Sequence, residues 1–227
     1  MCKKTLAELD EGMESLKRSA NGEGLIRLGF LRPLGTRYIP QLASQFLKEN
    51  AGKNIDFSFH TDRTQPLLNG LLEKKYDLVF CSQPEDDMNV ISIPVMQQKL
   101  VVIVPKDHPL AQKKKIDLAE AANYPQIYFA EGSGLRNVID ALFQKVGKSP
   151  MIAYETEEDQ VIAGLVAAGF GIGIVPYMDL LLKLDVAILA ISTPPYKREF
   201  FMVQNKEVFL PPVSQQFWDY VSKKMNR

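Results

Sequence analysis

Between Leu25 and Pro176 the chain switches repeatedly between a two-residue and a 3.6-residue hydrophobic period, and that alternation leaves few folds open. Leu25 to Phe30 reads as a strand, and a turn through Pro33, Leu34 and Gly35 leads to a helix with Ile39, Leu42, Ala43, Phe46 and Leu47 on one face. Ile55, Phe57 and Phe59 alternate as a second strand. Thr64 stands where it can cap a helix faced by Leu67, Leu68, Leu71 and Leu72, and Leu78 to Cys81 returns as a third strand. Two consecutive strand-helix-strand units predict a parallel sheet covered by helices.

A second series follows two strand-like runs, Val90 to Val95 and Leu100 to Val104, which flank Met96-Gln97-Gln98-Lys99. Asp117 with Glu120 has the spacing of a capping box, Gln126 to Ala130 is a strand, and Leu135 to Val146 is a helix with Val138, Ile139, Leu142, Phe143 and Val146 inward. Gly147 and Pro150 end it. The strand Met151 to Tyr154, a helix bearing Val161, Ile162, Leu165 and Val166, and the strand Ile172 to Val175 complete this half. A short helix near Leu180, strands Val186 to Ile191 and Glu199 to Val203, and a last helix from Pro212 to Lys224 close the chain. The pattern predicts two α/β lobes with two crossings, near residues 96–99 and 195–203. A ligand is expected between the lobes, at strand carboxyl ends where helix amino termini converge.

Composition narrows the function. Lysine plus arginine and aspartate plus glutamate both number 27, so 27 − 27 leaves no net charge and no electrostatic footprint for gripping phosphates along a nucleic acid. Lys3, Lys4, Glu8, Asp10, Glu11 and Glu14 interrupt the stretch where a signal peptide needs an apolar core, and no apolar run approaches a bilayer span. Cys2 and Cys81 make no disulfide framework. These features predict a cytoplasmic protein with no membrane contact. Residues 5–19 place Leu6, Leu9, Met13 and Leu16 along the seam of a short amphipathic helix, and Asn21 to Gly24 form a linker.

Few motifs carry chemistry. His60 and His108 stand apart, with no metal-ligand spacing around either, so neither a metal nor a cofactor is expected. Ser133 lacks a nucleophile elbow, and Gly147-Lys148-Ser149 ends a helix instead of opening one. Gly169, Gly171 and Gly173 suit turning and close packing, while Lys113-Lys114-Lys115 reads as a solvated loop. No catalytic residue emerges. Two strand-to-helix loops stand out. Arg32-Pro33-Leu34-Gly35-Thr36 brings backbone N–H groups, a hydroxyl and a guanidinium together, as an anion site requires. Glu131-Gly132-Ser133-Gly134-Leu135-Arg136 holds the same place in the second half.

From Leu25 to about Lys223 the sequence resembles the effector-binding domain of LysR-type transcription regulators. The resemblance is carried in order by Ile26-Arg27-Leu28-Gly29, Tyr76-Asp77-Leu78-Val79, Leu100 to Pro105 with His108-Pro109-Leu110-Ala111, Gly132-Ser133-Gly134-Leu135-Arg136, and Val166 to Pro176. It implies an α/β, periplasmic-binding-protein-like fold of type 2, with two Rossmann-like lobes joined by two crossing segments. Residues 1–23 would be the remnant of a linker helix and linker. Residues 24–97 with 198–227 would form lobe I, and 98–197 lobe II. By position in the family pattern, Arg32, Leu34, Gly35 and Thr36 match the first effector loop. Thr61 and Thr64 match the second, Ser82 the end of the third strand, Gln98 the crossing, and Ser133 and Gly134 the second-lobe loop.

Arg32 stands where the family often has a small hydroxyl residue, which suggests a carboxylate-bearing effector. The resemblance further implies a non-enzymatic sensor that assembles as a homodimer or homotetramer, through the helix around Ile39–Leu47. Contact with DNA would come only through a helix-turn-helix domain ahead of residue 1. A transport solute-binding protein and an amino-acid-pathway enzyme on the same scaffold are the rival readings.

Overall fold

A computed structural model describes residues 21–131 and 133–225, so the helix expected over residues 5–19 lies outside the described residues. The chain divides into two units: unit 1 takes the chain up to Met96 and again from Glu199, and unit 2 takes Gln97–Arg198.

Unit 1 opens with β1 (Gly24–Phe30), α1 (Tyr38–Glu49), β2 (Ile55–Thr61), α2 (Thr64–Leu72) and β3 (Leu78–Cys81), followed by β4 (Val90–Gln97). The returning chain adds β11 (Glu199–Asn205) and α6 (Pro212–Met225). The sheet order is β2-β1-β3-β11-β4. β1 runs parallel to β2 and β3, while β11 is antiparallel to β3, so the sheet is mixed and not parallel throughout. The returning strand enters from the same edge at which the first three leave.

Period-two alternation splits the unit 1 core between two faces. Ile26, Leu28, Phe30, Leu78, Phe80, Phe200 and Met202 meet α1 and α6 through Ile39, Phe46 and Phe217. Val79, Cys81 and Val203 meet α2 through Leu67, Leu68 and Leu71. Gly29 stands on that second face, where a Cβ would press to 3.0 Å against Leu67 and Tyr76. Leu47 and Leu72, expected inward, are exposed, because the stripe facing the sheet is narrower than the apolar stripe in the sequence. Asp77 ties the unit together. Its buried carboxylate accepts from Arg27 N (2.8 Å), Arg27 Nη2 (2.6 Å) and Ser214 Oγ (3.1 Å).

Unit 2 contains β5 (Leu100–Pro105), β6 (Lys115–Asp117), α3 (Leu118–Ala121), β7 (Pro125–Phe129), α4 (Gly134–Lys145), β8 (Met151–Thr156), α5 (Asp159–Ala167), β9 (Ile172–Pro176) and β10 (Val186–Thr193). The order is β6-β10-β5-β9-β7-β8, with β7 parallel to β8 and β9, and β5 antiparallel to β9 and β10. Gly171, with φ +150, turns the chain into β9, and Gly173 lets α5 close in, since a Cβ there would sit 2.6 Å from Ile162.

Local signals differ from expectation at several points. Lys115 belongs to a strand that pairs with Ala190, and Lys113 reaches Glu120, so the lysine run is not simply a solvated loop. That bond also occupies Glu120, leaving Asp117 as a one-sided cap on Ala119 N (2.7 Å). The short helix near Leu180 takes the form of a 3-10 helix over Asp179–Lys183. Among the described residues no helix is long and apolar enough to cross a membrane.

Candidate functional site

Because β1, β2 and β3 are parallel neighbours, their carboxyl ends fall on one edge of the unit 1 sheet. Phe30 pairs with both Thr61 and Phe80. Past the strands, Leu31 N donates to Phe80 O (3.0 Å) and Asp62 N to Phe30 O (3.4 Å), so the three loops leave side by side. The first loop is a 3-10 turn over Arg32–Leu34, closed by Gly35 N donating to Arg32 O at 3.0 Å. Leu34 is fully buried and anchors the loop, while Arg32 and Thr36 are exposed. Gly35 is required there, since a Cβ would come 2.8 Å from the Phe30 ring. Thr61 is exposed at the end of β2, and Thr64 and Ser82 are half-buried. Arg32, Leu34, Gly35, Thr36, Thr61, Thr64 and Ser82 therefore share one edge.

Thr64 does not cap α2. It is the first helical residue, and Arg63 takes the N-cap position in extended backbone (φ −75°, ψ 162°) without a side-chain cap bond. Arg37 precedes α1 in the same way, and neither helix has an acid in its first turn. Two arginines thus stand at the positive ends of two helix dipoles, the reverse of the usual preference. Cys81 lies just inside this edge, and burial pushes its thiol up to about 12. It is a protonated core group.

In unit 2, β7 and β9 run the same way and β5 runs against them. The carboxyl end of β7 and the amino end of β5 therefore share an edge. Ser133 and Gly134 follow β7, and Gln98 precedes β5, with one strand between them and a separation of about 10 Å in the sheet direction. Gln98 is 9% exposed, its N–H donates to Arg198 O (2.9 Å), and its side-chain oxygen is buried without a hydrogen-bond partner. Tyr196 Oη clamps the start of β5, accepting from Leu100 N (2.7 Å) and donating to Leu100 O (2.8 Å). Burial lowers the Arg198 pKa to about 10.

The Ser133 loop is secured from both sides. Ser133 Oγ caps α4 by accepting from Leu135 N (3.3 Å), and Ala130 N donates to Thr156 O (2.9 Å). Arg136 donates to Phe129 O (2.7 Å), to Asp140 Oδ2 (3.2 Å) and to Glu155, and lies over the Tyr128 ring. Tyr128 Oη donates to Asp140 Oδ1 (2.7 Å), and burial together with that bond holds the phenol well above its ordinary range. Arg136 thus directs its Nε and Nη1 donors to protein acceptors. Sequence reasoning missed Arg37, Arg63 and the role of Arg136. Of these only the Arg136–Asp140 pair had a legible signal, its i,i+4 spacing.

Comparison with known proteins shows the family. A family model described as the LysR substrate binding domain matches residues 19–226. The chain belongs to the LysR substrate-binding domain family. Among LysR relatives, the uncharacterized HTH-type transcriptional regulator YybE of Bacillus subtilis is 34% identical over 217 residues, covering 95% of this chain and 74% of that protein. The effector binding domain of QuiR, solved in complex with shikimate, superposes with a TM-score of 0.82 at 35% identity, covering 89% of this chain and 97% of that one. The regulatory domain of Synechocystis PCC6803 CcmR, in complex with 2-PG, gives 0.76 at 25% identity, with 89% and 97% covered. The periplasmic-binding-protein-like fold follows, and with it the role of this LysR domain as the effector-sensing part of a transcription regulator.

Proposed function

We propose that this domain senses a small carboxylate-bearing metabolite, with Arg32, Gly35, Thr36, Thr61, Thr64 and Ser82 as the effector-binding residues of unit 1, Gln98, Ser133 and Gly134 as those of unit 2, and Leu34 fixing the first loop. The observation that carries the reading is the pair of uncapped helices, each headed by an arginine, beside Arg32 at the unit 1 edge. An anion there meets aligned N–H dipoles and guanidinium groups. Shikimate, the ligand of one relative, is itself a carboxylate and is the first probe. The effector changes transcription to the extent that it binds one conformation of the regulator better than another. DNA contact falls to a helix-turn-helix domain ahead of residue 1, and the domain acts as a cytoplasmic sensor without turnover.

Calorimetry with shikimate and a panel of other small carboxylates tests this. Arg32→Ala weakens carboxylate binding about tenfold or more, the worth of a charge-assisted pair. Unchanged affinity rejects a direct role for Arg32, and consumption of a bound carboxylate by the purified domain rejects the sensor reading.

The assembly unit we propose is a dimer of this chain. Between α1 and Phe59 of β2, unit 1 carries an apolar groove of about 760 Å³ lined by Phe30, Ile39, Ala43 and Leu47. The outer strand β8 of unit 2 exposes Met151, Ile152 and Tyr154. Unit 1 of one copy against unit 2 of another covers both faces twice in a closed pair. Sedimentation of Leu47→Glu is the test: a monomer is expected, and an unchanged dimer places the interface elsewhere.

A further inference from the structure

We propose that Asn21 is a site of spontaneous covalent modification, where the side-chain amide is lost as ammonia and a carboxylate takes its place just ahead of β1. This inference is independent of the effector reading and lies wholly within unit 1.

Asparagine is among the thermolabile residues, and a following glycine makes it more so. The backbone nitrogen of the next residue attacks the asparagine Cγ, the bond from Cγ to the amide nitrogen breaks, and ammonia leaves with the proton of the attacking N–H. Solvent water then opens the resulting succinimide at either carbonyl. One opening leaves aspartate; the other leaves isoaspartate, with the main chain rerouted through the side-chain carbon. No electron donor or acceptor is needed. A side chain on the attacking residue hinders ring closure, and glycine has none.

The chain contains two such pairs, Asn21-Gly22 and Asn69-Gly70. In both the asparagine is exposed and the glycine buried, so accessibility does not separate them. Backbone structure does. Asn69 and Gly70 lie inside α2, where Asn69 O accepts from Glu73 N (2.9 Å) and Gly70 O from Lys75 N (2.8 Å). Asn69 Oδ1 is also engaged, accepting from Gln65 Nε2 (3.2 Å). Bringing the Gly70 nitrogen onto Asn69 Cγ requires local opening of a helix whose Leu67, Leu68 and Leu71 are buried in the core.

Asn21 and Gly22 instead form a turn ahead of β1. Folding itself demands glycine at position 22: its φ is +70°, and a Cβ there would come 2.0 Å from the Gln216 side chain of α6. Packing thus fixes, next to an exposed asparagine, the residue that least hinders attack on it. The product places a negative charge next to the residue that rests on Gln216, whose Oε1 accepts from Lys53 Nζ (3.3 Å). In the isoaspartate form the main chain between residues 1–20 and β1 is also one atom longer. Charge and chain length at the entry to unit 1 therefore change with the age of the molecule.

Ageing the intact chain at mildly alkaline pH, followed by tryptic peptide mapping with mass spectrometry, tests this. Peptides 19–27 and 64–74 carry one Asn-Gly pair each. In the folded protein, peptide 19–27 is expected to take on the mass of the acid at least about tenfold faster than peptide 64–74, because only the second needs a packed helix to open. In concentrated urea the two rates converge. Asn21→Ser abolishes the conversion in peptide 19–27, and isoaspartate in the wild type appears as a second chromatographic peak of the same mass as the aspartate form. Peptide 19–27 staying intact in the folded protein, converting no faster than peptide 64–74, or still gaining mass in Asn21→Ser overturns the proposal.

Discussion

The two loop-bearing edges are built on one plan, yet they handle their helix starts in opposite ways. In unit 2 a side-chain oxygen caps α3 and α4, Asp117 on Ala119 N and Ser133 on Leu135 N, while α5 has no side-chain cap but an acid, Asp159, in its first turn. In unit 1 neither α1 nor α2 has a side-chain cap or a first-turn acid, and each is preceded by arginine. An edge that satisfies itself is stable and indifferent to anions. One that does not leaves the helix dipole field unscreened, at a cost in stability.

That contrast can be attacked from several sides. The largest effect is expected at Asp77, which fastens β1, β3 and α6 of unit 1. Asp77→Ala strands Ser214, the Arg27 amide and the Arg27 guanidinium, and is expected to cost about 3 kcal/mol by urea denaturation. Next comes the brace of unit 2. Arg136→Met removes donors to Phe129 O, Asp140 and Glu155, but both carboxylates are more than a third exposed, so solvent screening holds the loss to about 1–2 kcal/mol. Amide exchange should rise around Ser133 and leave α1 protected.

Exchanging the caps goes to the comparison itself. Ser133→Ala is expected to cost about 1 kcal/mol, whereas Arg63→Ser supplies α2 with the missing cap and gains up to about 1 kcal/mol while weakening carboxylate binding. A thermal melt and a calorimetric titration on each variant read both quantities. Gain of stability without loss of affinity would dissolve the link between uncapped helices and anion binding.

The smallest effect is alkaline. Cys81 has its pKa raised from 9.0 to about 12 by burial, so the folded state keeps a proton that the unfolded state gives up. Stability then falls as pH rises through 9 toward 12, by about half a kcal/mol at pH 9. Comparing denaturation at pH 7 and pH 9 for wild type and Cys81→Ala isolates it, since the variant should lack that increment.

Much of this architecture is legible along the chain. The period switches at Leu25–Phe30, Ile39–Leu47 and Ile55–Phe59 mark elements that do form, and Gly173 is correctly read as a close-packing glycine. Other features are not local. Leu47 and Leu72 belong to apolar stripes that the sequence cannot divide into sheet-facing and outward parts. Thr64 has the residue type of a cap, but the loop before it puts Arg63 in the capping geometry. The mixed sheets depend on strands that arrive from far along the chain, such as β11 beside β3, which hydrophobic period does not report.

What the sequence determined by itself is the order and kind of its elements, the loops that follow parallel strands, and the residues those loops can present. Periodicity and turn chemistry are properties of neighbours, so they can be read from neighbours. What tertiary structure decided is the surroundings those groups meet. Arg136 is held by Phe129, Asp140 and Glu155, Arg37 and Arg63 are set at helix starts without side-chain caps, and Gln98 is buried. Such outcomes depend on partners brought together by folding, because a hydrogen bond or an ion pair is satisfied in space and not along the chain.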